Sequence, residues 1–169
     1  DGLEEVFQVD YLASFMINYA LKDKLKRQEK ARIIFVNSEG HRFAIGGLRL
    51  DDLNWNRRHY TGLRSYGSAK TAQLLSMYPL TGFFSDSGVT LNAMHHGNVK
   101  TSMGENNGRI YRFLKHHLVD SSAGNPLLSA KALYYLGVAD ELSGVTGKYF
   151  NFTTEETPAP HALDADLAQ

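Results

Sequence analysis

The chain has no cysteine among its 169 residues, which excludes disulfide bonds and thiolate metal sites and makes the cytosol its default location. It also lacks an excess of charge of one sign, because 18 basic and 18 acidic residues cancel. Its overall field therefore favours neither nucleic acid nor an anionic membrane surface. No apolar run approaches the roughly 20 residues of a membrane span, and the N-terminus lacks the regions of a signal peptide. These absences predict one soluble, cytoplasmic domain that binds no nucleic acid and does not span a membrane.

The patterns that are present alternate between helix and strand. Apolar residues across 4–29 recur at helical spacing, which predicts a long amphipathic helix. Residues 31–37 contain the run Ile33-Ile34-Phe35-Val36, β-branched or aromatic throughout, which predicts a parallel strand buried on both faces. Two further strands are predicted at 89–94 and 147–151. Because strands alternate with helices, we expect an α/β fold with a parallel sheet.

Other helices and two irregular regions complete the chain. Helices are predicted at 66–77, 109–118 and 126–136. Pro79 should stop or kink the first of these, because proline lacks an amide proton and clashes with the preceding turn. Segment 40–64 has no sustained period and is predicted to be a long loop. The tail, 153–169, is predicted to be a loop that leads into a helix.

The strongest chemical signal is the pentapeptide Tyr-Gly-Ser-Ala-Lys at 66–70. It places a phenol and an ammonium one turn apart on a helix face, where the cation lowers the pKa of the phenol toward use as an acid or base. Ser38 closes the predicted strand 31–37, and ligands of open α/β sheets bind beyond the carboxyl ends of strands. Segment 92–101 places a glycine corner and Thr101 at the end of the next strand. We expect these features to converge on one crevice.

With these residues in place, the sequence resembles the short-chain dehydrogenase/reductases, and within them the branch of the retinol dehydrogenases and the WW-domain oxidoreductase. Five segments match the family in order. Residues 1–9 match the start of its fourth helix, 31–43 its fifth strand with the serine, and 66–70 its active-site motif. Residues 88–101 match its sixth strand with a Pro-Gly-x-x-x-Thr corner, and 147–150 match its last strand. The resemblance implies that residues 1–169 form the C-terminal, catalytic half of the family's domain. It implies a partial doubly wound, Rossmann-like parallel sheet without the first strands.

The same resemblance implies an NAD(P)-dependent oxidoreductase that interconverts an alcohol and a carbonyl by hydride transfer. Tyr66 would be the general acid/base, Lys70 would hold the nicotinamide ribose and lower the pKa of Tyr66, and Ser38 would orient the substrate oxygen. The cofactor, NADP or NAD, would contact the motif and the second corner: Tyr66, Lys70, Gly97, Asn98, Val99 and Thr101. The implied substrate is a small, lipophilic alcohol or ketone, and the implied assembly is a homodimer.

Asp10 stands where the family has an asparagine that holds a water of a proton relay to the lysine. An ionised Asp10 has two alternatives. It could pair with Lys70 and draw it from the cofactor, or it could hold the water by accepting its hydrogen bonds. We expect reduced turnover in either case.

The family's GxxxGxG turn and Asn-Asn-Ala-Gly segment have no match in the sequence. We therefore expect no NAD(P)H binding by this segment alone, and an unpaired apolar edge along the first strand. A non-catalytic remnant or interaction module of the same fold is an alternative. A flavodoxin-like binding domain would explain the sheet but not the ordered Ser38, Tyr66 and Lys70. The adjacent histidines at 95–96 and 116–117 have no accompanying carboxylate cluster, so no metal site is predicted.

Overall fold

The computed structural model describes residues 2–97 and 124–168. Its centre is a four-stranded sheet in the order β1 to β4. The strands are Ala31–Asn37 (β1), Val89–His95 (β2), Tyr149–Asn151 (β3) and Thr154–Glu156 (β4). β1, β2 and β3 run parallel, and β4 returns antiparallel to β3. The predicted α/β fold with a partial parallel sheet is confirmed.

The helix predicted at 4–29 is present, but one of its turns is wider. Helices α1 (Glu5–Phe7) and α2 (Ala13–Lys26) are joined by a π-helical segment, Gln8–Leu12. Glu4 caps the start of α1, because its carboxylate accepts hydrogen bonds from amides of the first turn. Such π-helical turns are rare and often lie at functional sites, and this one contains Asp10.

Two further helices are α3 (Gly62–Phe83) and α4 (Pro126–Val138). Thr61 caps α3, while Asn125 caps α4, whose first residue is a proline, a common choice at that position. Short 3-10 helices occupy Glu39–Phe43, Leu50–Asp52, Asp140–Leu142 and Pro160–Ala162. The region predicted as a long loop, 40–64, thus contains single helical turns and, from Gly62, the first residues of α3.

Different helices cover the two faces of the sheet. On one face, Leu91 and Ala93 of β2 pack in a buried cluster with Leu74 of α3. On the other face, Met94 packs with Leu136 of α4. Because successive side chains of a strand point to opposite faces, the neighbours Ala93 and Met94 serve different layers. The helices and the sheet therefore form an α/β/α arrangement.

Helix α3 does not end early at Pro79, so the prediction of a short or broken helix is wrong. It is one helix of 22 residues with the proline inside it. Met77 and Leu80, on either side of the proline, are buried in the same cluster as the β2 side chains. Burial of an apolar face stabilises a helix more than intrinsic propensity does, and it holds this last turn despite the proline.

β1 lies at the edge of the described sheet and pairs with β2. Its end is only partly covered, because Phe35 is buried whereas Val36 is 43% exposed. The prediction of burial on both faces is therefore wrong for Val36. On that strand Ile34, rather than Val36, packs against the α4 cluster.

The tail also differs from its prediction. Residues 154–156 form β4, and the following chain forms a 3-10 helix and turns instead of the expected longer helix. The helix predicted at 109–118 lies outside the described residues. Within 2–97 and 124–168, no helix has the length and apolar character that crossing a membrane requires.

Candidate active site

Ser38 begins a tight turn at the carboxyl end of β1. It is the N-cap of the 3-10 helix Glu39–Phe43, and its Oγ accepts a hydrogen bond from the Gly40 amide at 3.0 Å. The Ser38 amide donates in turn to Asn37 Oδ1 at 2.8 Å. A hydroxyl has one proton and two lone pairs. The bond from Gly40 uses a lone pair and leaves the Ser38 proton able to donate to another oxygen.

Gly40 is the point at which Ser38 and Tyr66 meet. A Cβ built on Gly40 would lie 2.4 Å from Tyr66 Cε1 and 3.2 Å from Ser38 Oγ. The Ser38 hydroxyl and the Tyr66 ring therefore border the same small space, which a larger residue at position 40 would fill. A Cβ on Gly67 would lie 2.7 Å from the backbone nitrogen of Ala44. The two glycines let α3 lie directly against the turn that follows Ser38.

Lys70 lies one turn after Tyr66 on α3. Its Nζ is 5.7 Å from the centre of the Tyr66 ring and donates a hydrogen bond to the Val36 carbonyl at 3.2 Å. Asn37, which is buried, donates to the Lys70 carbonyl oxygen at 2.9 Å and to Gln73 Oε1 at 2.8 Å. These bonds tie the end of β1 to the helix that carries the tyrosine and the lysine.

Asp10 approaches the same lysine from the π-helical turn. Burial raises the pKa of Asp10, whereas the positive charge of Lys70 lowers it and the negative charge of Glu4 raises it. Burial also lowers the pKa of Lys70, and the Asp10 charge opposes that shift. The two side chains thus act on each other electrostatically. Their charged atoms nevertheless lie more than 4.0 Å apart, and the Lys70 ammonium instead donates to the Val36 carbonyl.

The carboxyl end of β2 lies beside Ser38, because Asn37 and His95 are partners in the parallel register. The corner that follows contains Gly97, with a φ of 81° in the left-handed region. A Cβ on Gly97 would lie 2.2 Å from the ring of Phe152. This glycine is therefore required both by its backbone angle and by the packing of the β3–β4 hairpin. The other predicted cofactor residues of this corner, Asn98, Val99 and Thr101, lie outside the described residues.

A set of polar side chains behind Ser38 was not predicted from the sequence. The Glu39 amide donates to His95 Nδ1 at 3.3 Å, and its carboxylate accepts from Tyr149 at 2.7 Å and from Arg42. Burial and the Glu39 charge raise the pKa of Tyr149. Burial is the main cause that lowers the pKa of His41 and of His95. Among these residues, His41 has a local signal in the sequence that could have indicated a contact with Ser38. It follows Ser38 by three residues, which is the spacing of one 3-10 turn.

A separate apolar groove of about 440 Å³ lies between α2, α3 and the tail, and none of the predicted catalytic side chains lines it. One wall is a row of aromatic rings spaced one turn apart, with centres 5.0, 5.8 and 6.2 Å apart: Phe7, Tyr11, Phe15 and Tyr19. Lys22 continues the row, with its Nζ 3.8 Å from the centre of the Tyr19 ring. The groove is therefore distinct from the place where Ser38 and Tyr66 meet at Gly40.

Comparisons with known proteins agree with this architecture. No family model matches the sequence. Over its full length the chain is 36% identical to retinol dehydrogenase 13 of Homo sapiens, covering 52% of that protein. It is 33% identical to the WW domain-containing oxidoreductase of Pongo abelii, again over its full length and covering 42% of that protein. The NADPH-bound carbonyl reductase from chicken fatty liver matches 92% of this chain and 56% of its own, with a TM-score of 0.61 and 23% identity. The chain thus spans about half the length of the curated retinol dehydrogenases that it matches.

Proposed function

Because the chain has the sequence and the partial fold of the short-chain dehydrogenase/reductase family, we propose that it forms the catalytic half of an NAD(P)-dependent oxidoreductase that interconverts an alcohol and a carbonyl. One observation carries the proposal. Ser38 Oγ and the Tyr66 ring border the same space at Gly40, and the Lys70 ammonium lies beside that ring. A hydroxyl from the end of β1 thereby lies near a phenol and an ammonium from one turn of α3.

In this proposal Ser38 and Tyr66 handle the substrate oxygen. Ser38 accepts from Gly40 and donates its own proton to the carbonyl oxygen, which orients the substrate. Tyr66 gives the proton that the oxygen takes up during reduction, and it removes that proton during alcohol oxidation. The nearby Lys70 cation stabilises the phenolate form that the tyrosine passes through.

The residues present fit a nicotinamide cofactor at this crevice. The Lys70 ammonium has three protons and one bond to a backbone oxygen at 3.2 Å, so it can also donate to ribose hydroxyls. Tyr66, Lys70 and Gly97 would hold the nicotinamide end, together with Asn98, Val99 and Thr101. The cofactor, when bound, supplies or accepts the hydride. The NADPH of the chicken carbonyl reductase supports this cofactor class.

Asp10 is the residue of this site that we expect to limit its rate. The Asp10 carboxylate and the Lys70 ammonium act on each other electrostatically but form no close ion pair. This arrangement is compatible with a water held between the two groups. We propose that Asp10 holds a water next to Lys70, and that Asp10→Asn raises turnover. An Asp10→Asn variant with no gain in rate would refute the expected limit that Asp10 places on turnover.

The proposed substrate is a small, lipophilic alcohol or ketone, in keeping with the retinol named in the most similar relatives. The family's homodimer stays a prediction, and sedimentation velocity of the full-length protein would test it.

The test of the proposed function is Tyr66→Phe in the full-length protein. We expect carbonyl reduction with NADPH or NADH to fall by about 100-fold or more, the usual contribution of a general acid. Tyr60→Phe is the matched control, because Tyr60 is an exposed tyrosine that donates to Glu4 and lies outside the crevice. Activity that survives in Tyr66→Phe would refute the acid/base role. A full-length protein that reduces no carbonyl with either cofactor would favour a non-catalytic interaction module.

A further inference from the structure

His41 connects the turn at Ser38 to a segment 118 residues later in the chain. Its side chain is fully buried, with Nδ1 2.7 Å from the Ser38 carbonyl oxygen and Nε2 3.0 Å from the backbone nitrogen of Ala159. A carbonyl oxygen can only accept and an amide can only donate. The proton of the imidazole must therefore be on Nδ1, and the lone pair on Nε2 accepts from Ala159.

The backbone of His41 reinforces this connection. Its amide donates to the same Ser38 carbonyl at 3.1 Å, so one residue supplies two hydrogen bonds to one oxygen. Its own carbonyl accepts from Thr71 Oγ1 at 3.2 Å and from His161 Nε2 at 2.8 Å. Thr71 directly follows Lys70 on α3. The Ser38 peptide is thus fixed by a residue that is itself anchored to the catalytic helix and to the tail.

We propose that His41 is a positioning residue of the active site, whose imidazole holds the Ser38 peptide so that the Ser38 hydroxyl stays beside Tyr66. The catalytic consequence rests on the proposed function, whereas the structural link does not. The alternative is a buried polar contact that stabilises the fold without affecting where Ser38 lies.

Two substitutions of His41 each keep one of the two hydrogen bonds of the imidazole and remove the other. Asparagine places an amide N–H where Nδ1 is, so His41→Asn keeps a donor for Ser38 and loses the acceptor for Ala159. Glutamine reaches the position of Nε2, so His41→Gln keeps an acceptor for Ala159 and loses the donor for Ser38. His161→Gln is the matched control, because it changes a neighbouring histidine that contacts only the His41 carbonyl among these groups.

Amide hydrogen exchange tests the link without any activity assay. The Gly40 amide reports the position of Ser38 Oγ, to which it donates, and the Ala159 amide reports the bond to Nε2. We expect His41→Gln to lose protection at Gly40 and keep it at Ala159, and His41→Asn to show the reverse. Equal losses at both amides in both variants would overturn the proposal and indicate a general loss of stability.

Turnover then tests the catalytic consequence. We expect kcat to follow Gly40 protection: a loss of about 100-fold in His41→Gln, as for a group displaced by about 1 Å, and less than about tenfold in His41→Asn and His161→Gln. Losses of kcat that follow the unfolding midpoint instead would overturn the positioning role. If the wild-type protein has no activity, the proposed function fails, and the exchange pattern still decides whether His41 places Ser38.

Discussion

Helices α2 and α3 differ sharply in how much of their surface the rest of the molecule covers. α3 has buried residues along most of its length, from Ser65 to Leu80. α2 has no fully buried residue, and its Met16 and Ile17 are about 60% exposed. The comparison shows that an apolar helical pattern does not by itself identify the core. The helix that carries Tyr66 and Lys70 is also the helix that holds the described fold together, so the site sits on the most constrained element.

The largest expected effect on stability comes from shortening a buried side chain of α3. Leu74 is 0% exposed in the main cluster, and Leu74→Ala should lower the free energy of unfolding by about 2–5 kcal/mol through lost burial and a cavity. Ile17→Ala, at a 60% exposed position of α2, should change it by less than about 0.5 kcal/mol. Urea unfolding of both variants measures the contrast. Similar losses in the two helices would mean that the α2 surface is covered in solution.

A smaller effect is expected where α3 meets the Ser38 turn. In Gly40→Ala the new methyl group would overlap the Tyr66 ring, which should cost about 1–3 kcal/mol and displace the phenol from Ser38. Gly82→Ala is the matched control, because nothing lies within 4 Å of a Cβ at this position near the end of α3. It should stabilise the helix slightly. Urea unfolding with a parallel activity assay checks both, and a Gly40→Ala protein of unchanged activity would contradict the close approach.

The smallest expected effect is the change of stability with pH. It depends on histidine side chains that lie around the Ser38 turn and are absent from α2. α2 has no histidine, whereas His41, His95 and His96 lie around the Ser38 turn with pKa values lowered mainly by burial. These histidines are neutral in the fold, and in the unfolded chain they take up protons near pH 6.5. Their contribution to stability is therefore fully present above pH 6.5 and is lost as the pH falls toward their folded pKa values.

Urea unfolding across this pH range measures that loss. His95→Asn should flatten the dependence, because an asparagine oxygen can accept from the Glu39 amide as His95 Nδ1 does at 3.3 Å but does not titrate. A free energy of unfolding that stays constant as the pH falls below 6.5 in the wild-type protein would contradict the neutral histidines.

The sequence predicted the main strands because their signals are local. Residues 31–37 and 89–94 are rich in apolar and β-branched residues, and β1 and β2 match them almost residue for residue. It also indicated Ser38, Tyr66 and Lys70 as one group, and these lie together, although their catalytic roles stay a prediction. Pro79 was misjudged because burial of Met77 and Leu80 outweighs a local penalty.

What could not be predicted depends on contacts between distant residues. Nothing in the local sequence indicates a role for Asn37, yet its side-chain amide donates to the Lys70 carbonyl and to Gln73. The partner of His41 lies 118 residues away, and no spacing rule covers that separation. β4 was missed because its three residues, Thr-Glu-Glu, have no apolar pattern and gain their structure from pairing with β3.

The contact between Gly97 and Phe152 has a consequence for how the sequence can change. The Phe152 ring occupies the space where any side chain at position 97 would begin, and Phe152 itself has a positive φ of 54° in the hairpin turn. A side chain at position 97 would therefore need both a smaller residue at position 152 and a left-handed backbone angle that glycine adopts most easily. Across descendants of this sequence, we therefore expect position 97 to stay glycine even where Phe152 is replaced by a smaller residue.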